Sequence, residues 1–327
     1  MTPMKLNLSG LFAVLLLPVL SSGCTNHDAL PDGDDRTPVQ LCARGGVLEG
    51  AVTRTEPKEA FTASVAFSLV SGEYASPVDK YEGIWTAAVN ASGAITWKTE
   101  GGVTAPVYPP YGEHLFLVAY APEAIPASGR VTYDLTGQSD LLYASELQGD
   151  KWDGDRFSGN TQPAKDRPLV FNHLLTRLCF KACKKQGDGP TVRITGITVN
   201  GTDTRAILTL ATGETVFDTS SGDRCLTFTP ENGGTDITGI AATTVGSLML
   251  PPASAPASYT LTVQTSMGTY ENVSISYENI SDSNLLQAGY SHDITLTIAD
   301  HELAVTSVGV EPWMLVDAGD LDIGERE

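Results

Sequence analysis

Apolar and polar residues alternate with a period of two along most of the chain after residue 60. Residues 61–69 place apolar side chains at every second position, which is typical of a half-buried strand. Residues 115–120 are continuously apolar, as in a central strand with both faces covered. Further strands are predicted at 131–135, 192–200, 206–210, 225–229, 247–251, 259–265, 271–277, 292–298 and 305–310. Without alternating helices, this spacing predicts an all-β protein built of antiparallel β-sandwiches.

Three segments depart from this pattern. Gly196 interrupts the alternation within 192–200 and predicts a β-bulge. Residues 140–147 match one or two turns of helix. Residues 150–168 are polar and rich in turn-forming residues, so they predict a boundary between two domains, at 38–168 and 169–327.

The first 24 residues predict a lipoprotein signal peptide. Lys5 precedes an apolar run over 6–20 that is too short to span a bilayer well. The run leads into Ser-Ser-Gly before Cys24, which resembles a bacterial lipobox, where the thiol of Cys24 is diacylated before cleavage. Ser21 stands where a lipobox usually has leucine, so an ordinary signal peptide with an incidental cysteine is the alternative. Residues 25–37 are acidic and turn-rich, and we expect a flexible tether between a lipid anchor in the membrane and the fold.

Composition and charge exclude several classes of protein. Apolar residues make up 41% of the 327, which excludes a wholly disordered chain, and the charged fraction of 18% excludes a coiled coil. The 20 basic and 39 acidic residues give a formal net charge of −19. A field of that sign repels phosphate backbones, so nucleic acid is not expected as a partner.

The chain offers no motif of a catalytic, metal or cofactor site. There is no nucleophile elbow after a strand, no zinc-protease motif and no phosphate-binding loop. The five histidines form no zinc-type spacing with the cysteines, so no metal and no cofactor are predicted. His173 lies in an apolar segment and is expected to make a structural hydrogen bond. We therefore expect a protein that is not an enzyme.

Four cysteines remain after Cys24. They are Cys42, Cys179, Cys183 and Cys225. A bridge from Cys225 to either Cys179 or Cys183 and free buried thiols are both open, because export would place the chain in an oxidising compartment. The even spacing of Cys179 and Cys183 places both on one face of a strand.

Several segments carry a resemblance to a known family. In order along the chain they are 108–110 with the strand 115–120, then 140–144, 169–178, 286–290 and 310–313. Together with the lipobox, this series resembles the fimbrillin family, the type V pilins and related surface proteins of Gram-negative anaerobes. The resemblance covers about residues 38–316.

The resemblance implies two transthyretin-like antiparallel β-sandwich domains in tandem and a structural or adhesive subunit of surface fimbriae. It further implies other fimbrial subunits as partners, host or bacterial surface molecules as ligands, and a location at the outer membrane and cell surface. In that family an arginine-specific protease removes an N-terminal strand. A neighbouring subunit then fills the vacated groove with a strand of its own.

The resemblance assigns roles to two parts of this chain. Arg54 is the expected cleavage site because it lies between the strand-like residues 39–43 and the strand 61–69, and Arg44, beside two glycines, is the second candidate. The donor-strand candidates are Trp313, Met314, Leu315 and Val316, apolar groups close to the chain end. One alternative is that these four residues complete the chain's own sheet. The competing function is a monomeric surface lipoprotein that binds glycans or host ligands without polymerising.

Overall fold

The computed structural model is built of strands, as the period of two predicts. It describes residues 36–45, 60–71, 83–99, 103–109, 113–151, 155–159, 167–187, 189–218, 224–253, 259–275, 286–299 and 302–313. The strands are β1 Ala43–Gly45, β2 Phe61–Ser71, β3 Gly83–Val89, β4 Ile95–Trp97, β5 Glu113–Ala121, β6 Arg130–Asp134, β7 Leu142–Gly149, β8 Leu169–His173, β9 Thr176–Lys184, β10 Val192–Asn200, β11 Arg205–Thr209, β12 Thr215–Asp218, β13 Cys225–Phe228, β14 Thr235–Ile237, β15 Thr243–Leu250, β16 Thr260–Thr265, β17 Gly268–Ser274, β18 Tyr290–Ile298 and β19 Leu303–Pro312. The all-β prediction is confirmed.

The first sheet has seven strands in the order β1-β8-β7-β5-β2-β3-β4. β1 pairs with β8 in parallel, and the other neighbours pair antiparallel. One face of this sheet surrounds an apolar core, which we call the first core. It includes Val65 and Phe67 of β2, Leu117 of β5 and Phe171 of β8. The alternation read along the sequence is therefore the alternation of this buried face.

A smaller sheet, in the order β12-β11-β6, covers the other face of the first sheet. Ala66, Val118 and Tyr120 of the first sheet pack there against Val131 and Leu208. Because β5 is covered on both faces, its sequence is continuously apolar rather than alternating. The prediction of a central strand at 115–120 is confirmed.

The later part of the chain forms a sandwich of two sheets, which we call the second sandwich. One sheet has the order β13-β10-β16-β17, with β14 also paired to β10, and the other has the order β15-β9-β18-β19. Between them lies the second core, with Leu178 and Phe180 from β9, Ile197 from β10 and Leu296 from β18. β9 and β18 are parallel neighbours.

Two local expectations have clear outcomes. The register of β10 against β16 shifts between Ile194 and Gly196, so the predicted bulge at Gly196 is confirmed. The predicted helical turns at 140–147 are wrong, because β7 runs from Leu142 to Gly149. Leu142 and Ala144 face the first core while Tyr143 faces the opposite cluster, so a strand buries all three side chains. Pairing with β5 and β8 on its two sides overrides the local helical preference.

The strands after residue 168 contribute to both parts of the fold. β8, which begins at Leu169, pairs with β7 in the first sheet, and β11 pairs with β6. Asp35–Glu327 forms one unit in contact terms, and the division into 38–168 and 169–327 stays a prediction. Within the described ranges, no helix has the length and apolar character needed to cross a membrane.

Candidate assembly site

Residues 36–45, which we call the N-terminal segment, lie extended against the first core. Val39, Leu41 and Ala43 retain only 1%, 5% and 3% of their exposure, and Gln40 and Cys42 between them are half-buried. This alternation is that of a strand with one face in the core. The segment therefore supplies three side chains, two residues apart, to an interior built by residues far along the chain.

The backbone of the N-terminal segment is held by hydrogen bonds spread over several partners. Val39 N donates to Pro106 O at 2.9 Å, and Ala43 N donates to Gly93 O at 2.7 Å. The indole Nε1 of Trp97 donates to Val39 O at 2.9 Å. On the other side, Leu169 N donates to Cys42 O at 2.9 Å.

These bonds join the two ends of the seven-stranded sheet. Ala43–Gly45 pairs with β8 at one end of the strand order, while Cys42 bridges Ala94, the residue before β4 at the other end. The N-terminal segment thus closes a curled sheet. Its removal would open an edge on β8 and another beside β4, with unpaired backbone groups on both.

Residues 155–159 pack against the N-terminal segment and the first core. The ring of Phe157 is fully buried and stacks on Tyr108 at 5.7 Å, and Phe157 N donates to the Tyr108 hydroxyl at 2.7 Å. Burial raises the pKa of Tyr108. Gly159 passes so close that a Cβ there would lie 2.9 Å from the carbonyl carbon of Gln40. The sequence predicts only a polar domain boundary here and neither contact, although an isolated phenylalanine among polar residues signals a buried ring.

The N-terminal site residues differ in where they fall. Arg44 lies within β1, where its backbone is paired with Val170. Arg54 and Cys24 lie outside the described residues, as do the signal peptide and most of the tether. Cleavage at either arginine and lipidation of Cys24 stay predictions.

The C-terminal strand β19 ends the order of its sheet and runs into Trp313. Trp313 is 8% exposed and belongs to the second core. Its backbone N–H donates to Gly289 O at 2.7 Å. Its ring stacks on His173 at 3.9 Å, and the guanidinium of Arg177 lies 4.8 Å from its centroid. Of the four donor-strand candidates, Trp313 therefore packs in its own chain, while Met314, Leu315 and Val316 lie outside the described residues.

His173 makes a structural hydrogen bond, as expected, but to a residue distant in sequence. Its Nδ1 lies 2.5 Å from Oδ2 of Asp140, which precedes β7. Burial raises the pKa of the Asp140 carboxyl, and the hydrogen bond with His173 opposes the rise. The pair thereby fixes the imidazole on which Trp313 stacks.

The four cysteines in the described ranges are free thiols. Cys179 and Cys183 lie on the same, half-buried face of β9, as predicted, and their sulfurs face Ser291 and Thr297 at 3.3 and 3.5 Å. No group of three potential metal ligands among His, Cys, Asp and Glu occurs in the part of the chain that is described.

Comparison with known proteins identifies a family and two solved structures with a similar fold. A family model described as fimbrillin-like matches residues 53–313. A candidate cell adhesion protein from Bacteroides uniformis aligns with a TM-score of 0.57 at 21% identity, covering 86% of this chain and 100% of that one. A candidate cell adhesion protein from Bacteroides ovatus aligns with a TM-score of 0.56 at 16% identity, covering 86% and 99%. No curated protein matches the sequence. At these identities the two structures show a shared fold, and the family model shows that the chain belongs to the fimbrillin-like family.

Proposed function

We propose that this chain is a subunit of surface fimbriae that polymerises by strand exchange at the groove now filled by the N-terminal segment. Its family supports a fimbrial or adhesive role at the cell surface rather than an enzymatic one. The observation that carries the proposal is the closure of the first sheet by residues 36–45. Three alternating side chains fill the core there, and scattered hydrogen bonds hold the backbone. A strand with the same spacing from another subunit satisfies the same requirements.

Export as a lipoprotein is the first step of the proposal. Acylation at Cys24 anchors the precursor at the outer membrane, and residues 25–35 tether it to the N-terminal segment. The segment is thus the part of the fold nearest the anchor.

Cleavage at Arg54 is the second step. Arg54 lies between the N-terminal segment and β2, so cutting there leaves the segment held by non-covalent contacts alone. Arg44 is a poorer substrate, because a protease needs an extended free backbone and that of Arg44 is paired with β8. When the segment leaves, Gly93 O, Pro106 O and Leu169 N lose their partners and the three side-chain positions empty.

The third step is donation of the tail after Trp313. Met314, Val316 and Ala318 share the two-residue spacing of Val39, Leu41 and Ala43. The opposite phase would point Asp317 into an apolar core, which is costly for an unpaired charge. We therefore assign Met314, Val316 and Ala318 to the inward face of the donated strand, with Trp313 retained as its anchor in the donor subunit.

One matched pair of variants tests the donor step. Val316→Asp places a charge on the proposed inward face, and Leu315→Asp places the same charge one residue away on the outward face. After treatment with an arginine-specific protease, we expect ladders on denaturant-free electrophoresis for the wild type and Leu315→Asp, and monomers for Val316→Asp. Equal ladders for both variants would reject this assignment.

The cleavage step has its own test. Arg54→Gln should keep the precursor intact and monomeric under the same protease, while Arg44→Gln should still be cut, with a product beginning at Thr55. A wild-type chain that is cut at Arg54 and never forms ladders would instead favour the monomeric surface binder.

A further inference from the structure

We propose that a pocket at one end of the second sandwich binds a small carboxylated ligand of the acidic-monosaccharide class. The pocket has a volume of about 300 Å³. Its walls come from the β9–β10, β16–β17 and β18–β19 connections and include Lys184, Lys185, Gln186, Pro190, Met267 and Glu302. That volume lies at the lower end of the range typical of small-molecule sites.

Two adjacent lysines give the pocket its charge. Lys184, the last residue of β9, is only 7% exposed, and its Nζ donates to the neutral carbonyl of Gly189 at 2.9 Å. An ammonium carries three donors, and burying it is costly unless an anion offsets the charge. Lys185 follows on the exposed turn and lines the same space. An anionic group in the pocket would accept hydrogen bonds from both.

These lysines differ from six other basic side chains in the described ranges. Those six are paired with carboxylates: Lys98 with Glu123, Arg167 with Asp155, Lys181 with Asp293, Arg193 with Asp236, Arg205 with Asp218 and Arg224 with Asp203. Neither Lys184 nor Lys185 forms an ion pair with a described residue. Asp188, Asp300 and His301 border the pocket in sequence and lie outside the described residues. In a chain of net charge −19, two such lysines facing one cavity stand out.

The other residues that line the pocket indicate which class of anion it would bind. The amide of Gln186 and the carboxylate of Glu302 can exchange hydrogen bonds with hydroxyl groups, and Pro190 and Met267 present apolar surface to a ring face. A carboxylate beside hydroxyls on a compact ring matches all three features, and an acidic sugar has that chemistry.

The pocket lies away from Trp313, after which the proposed donor strand begins. β19 begins beside it, at the β18–β19 connection, and ends at Pro312 before Trp313. At about 3.3 Å per residue, the ten residues of β19 separate the two ends by about 30 Å. Ligand binding in the pocket therefore leaves the strand-donating end of the subunit clear.

The test is a calorimetric titration of the full chain with galacturonate, with galactose as the matched neutral sugar. We expect saturable binding of galacturonate and binding at least about tenfold weaker for galactose. Lys185→Met, at an exposed position, should weaken galacturonate binding by about tenfold. Lys184→Met should weaken it further, and Lys185→Met decides the matter if Lys184→Met fails to fold. Lys181→Met, on the same strand but paired with Asp293, is the control and should bind normally.

Three results would overturn the proposal. They are equal affinity for galactose and galacturonate, equal affinity of Lys185→Met and Lys181→Met, and no saturable binding up to about 10 mM. Binding of a short acidic peptide without binding of galacturonate would likewise reject the sugar assignment.

Discussion

The N-terminal segment and β19 are both peripheral strands, yet they are held in opposite ways. The N-terminal segment buries Val39, Leu41 and Ala43 but pairs through isolated bridges and three residues against β8. β19 pairs with β18 from Leu303 to Pro312, while most of its side chains remain at least partly exposed. The first is fixed by its side chains and the second by its backbone ladder. A strand fixed by spaced side chains can be replaced by a strand with similar spacing, so we expect the N-terminal segment to be exchanged more readily than β19.

The two regions meet at β8. The start of β8 pairs with β1, and its last residue, His173, stacks on Trp313. Trp313 therefore contacts the same strand that pairs with the N-terminal segment. Variants at each end of β8 can separate the contributions of the two regions.

The largest effect is expected at Trp313. Trp313→Ala removes a buried ring, its stack on His173 and its contact with Arg177, and should lower the free energy of unfolding by about 3–5 kcal/mol. Hydrogen exchange should rise in β18 and much less in β5. Trp313→Phe, which keeps a ring on His173, is the control and should lose less. Unchanged hydrogen exchange in β18 of Trp313→Ala would contradict a role for Trp313 in the second core.

The next effect is at Leu41. Leu41→Ala leaves a cavity in the first core and should cost about 2–5 kcal/mol, seen as a lower denaturation midpoint and faster exchange in β8. Val310→Ala, at a half-buried position of β19, should cost less than about 1 kcal/mol. Similar losses for the two variants would contradict the division between side-chain and backbone anchoring.

Gly159→Ala should have a smaller, local effect. The residue has φ +106°, and the new Cβ would lie 2.9 Å from the Gln40 carbonyl carbon, so we expect a cost of about 1–3 kcal/mol and easier release of the N-terminal segment. Gly201→Ala is the matched control, because Gly201 has φ +84° with nothing within 4 Å of a Cβ. Limited proteolysis should release the segment faster in Gly159→Ala alone.

The smallest effect is expected from alkaline pH, which should lower the free energy of unfolding through two buried tyrosines. Burial raises the pKa of Tyr120 and of Tyr143 to about 12, both in the cluster behind the first sheet. A raised folded pKa means that the stabilisation is complete below the unfolded value of about 10 and is lost as pH rises towards 12. Tyr143→Phe should reduce this alkaline loss, while costing about 1 kcal/mol at neutral pH for the bond to Leu210 O. An unchanged alkaline transition would show that Tyr143 does not control it.

Many strand positions could be predicted from sequence because burial on one face imposes a period of two, whereas β3, β8 and β9 were not predicted. β10 at Val192–Asn200 matches the predicted 192–200 at both ends. The pairing of β1 with β8 and of β9 with β18 could not be predicted, because both join residues more than 100 positions apart without a local signal. Helical turns are predicted where β7 forms, because its apolar run fits both the helical period and the strand period until its pairing partners are known. Arg54 and the donor-strand candidates rest on the family resemblance. The proposed site at Lys184 and Lys185 has no local sequence signal, because its lining comes from connections that are distant along the chain.

The most direct test of strand replacement is binding of a labelled peptide of residues 314–327, followed by fluorescence anisotropy. We predict binding to the chain cut at Arg54 and freed of its N-terminal segment, competition by a peptide of residues 36–45, and no binding to the intact chain. A Val316→Asp peptide should fail to bind, and a Leu315→Asp peptide should bind. Equal binding to cut and intact chains, or no binding to a cut chain that remains folded, would contradict the claim that the groove exchanges one strand for the other.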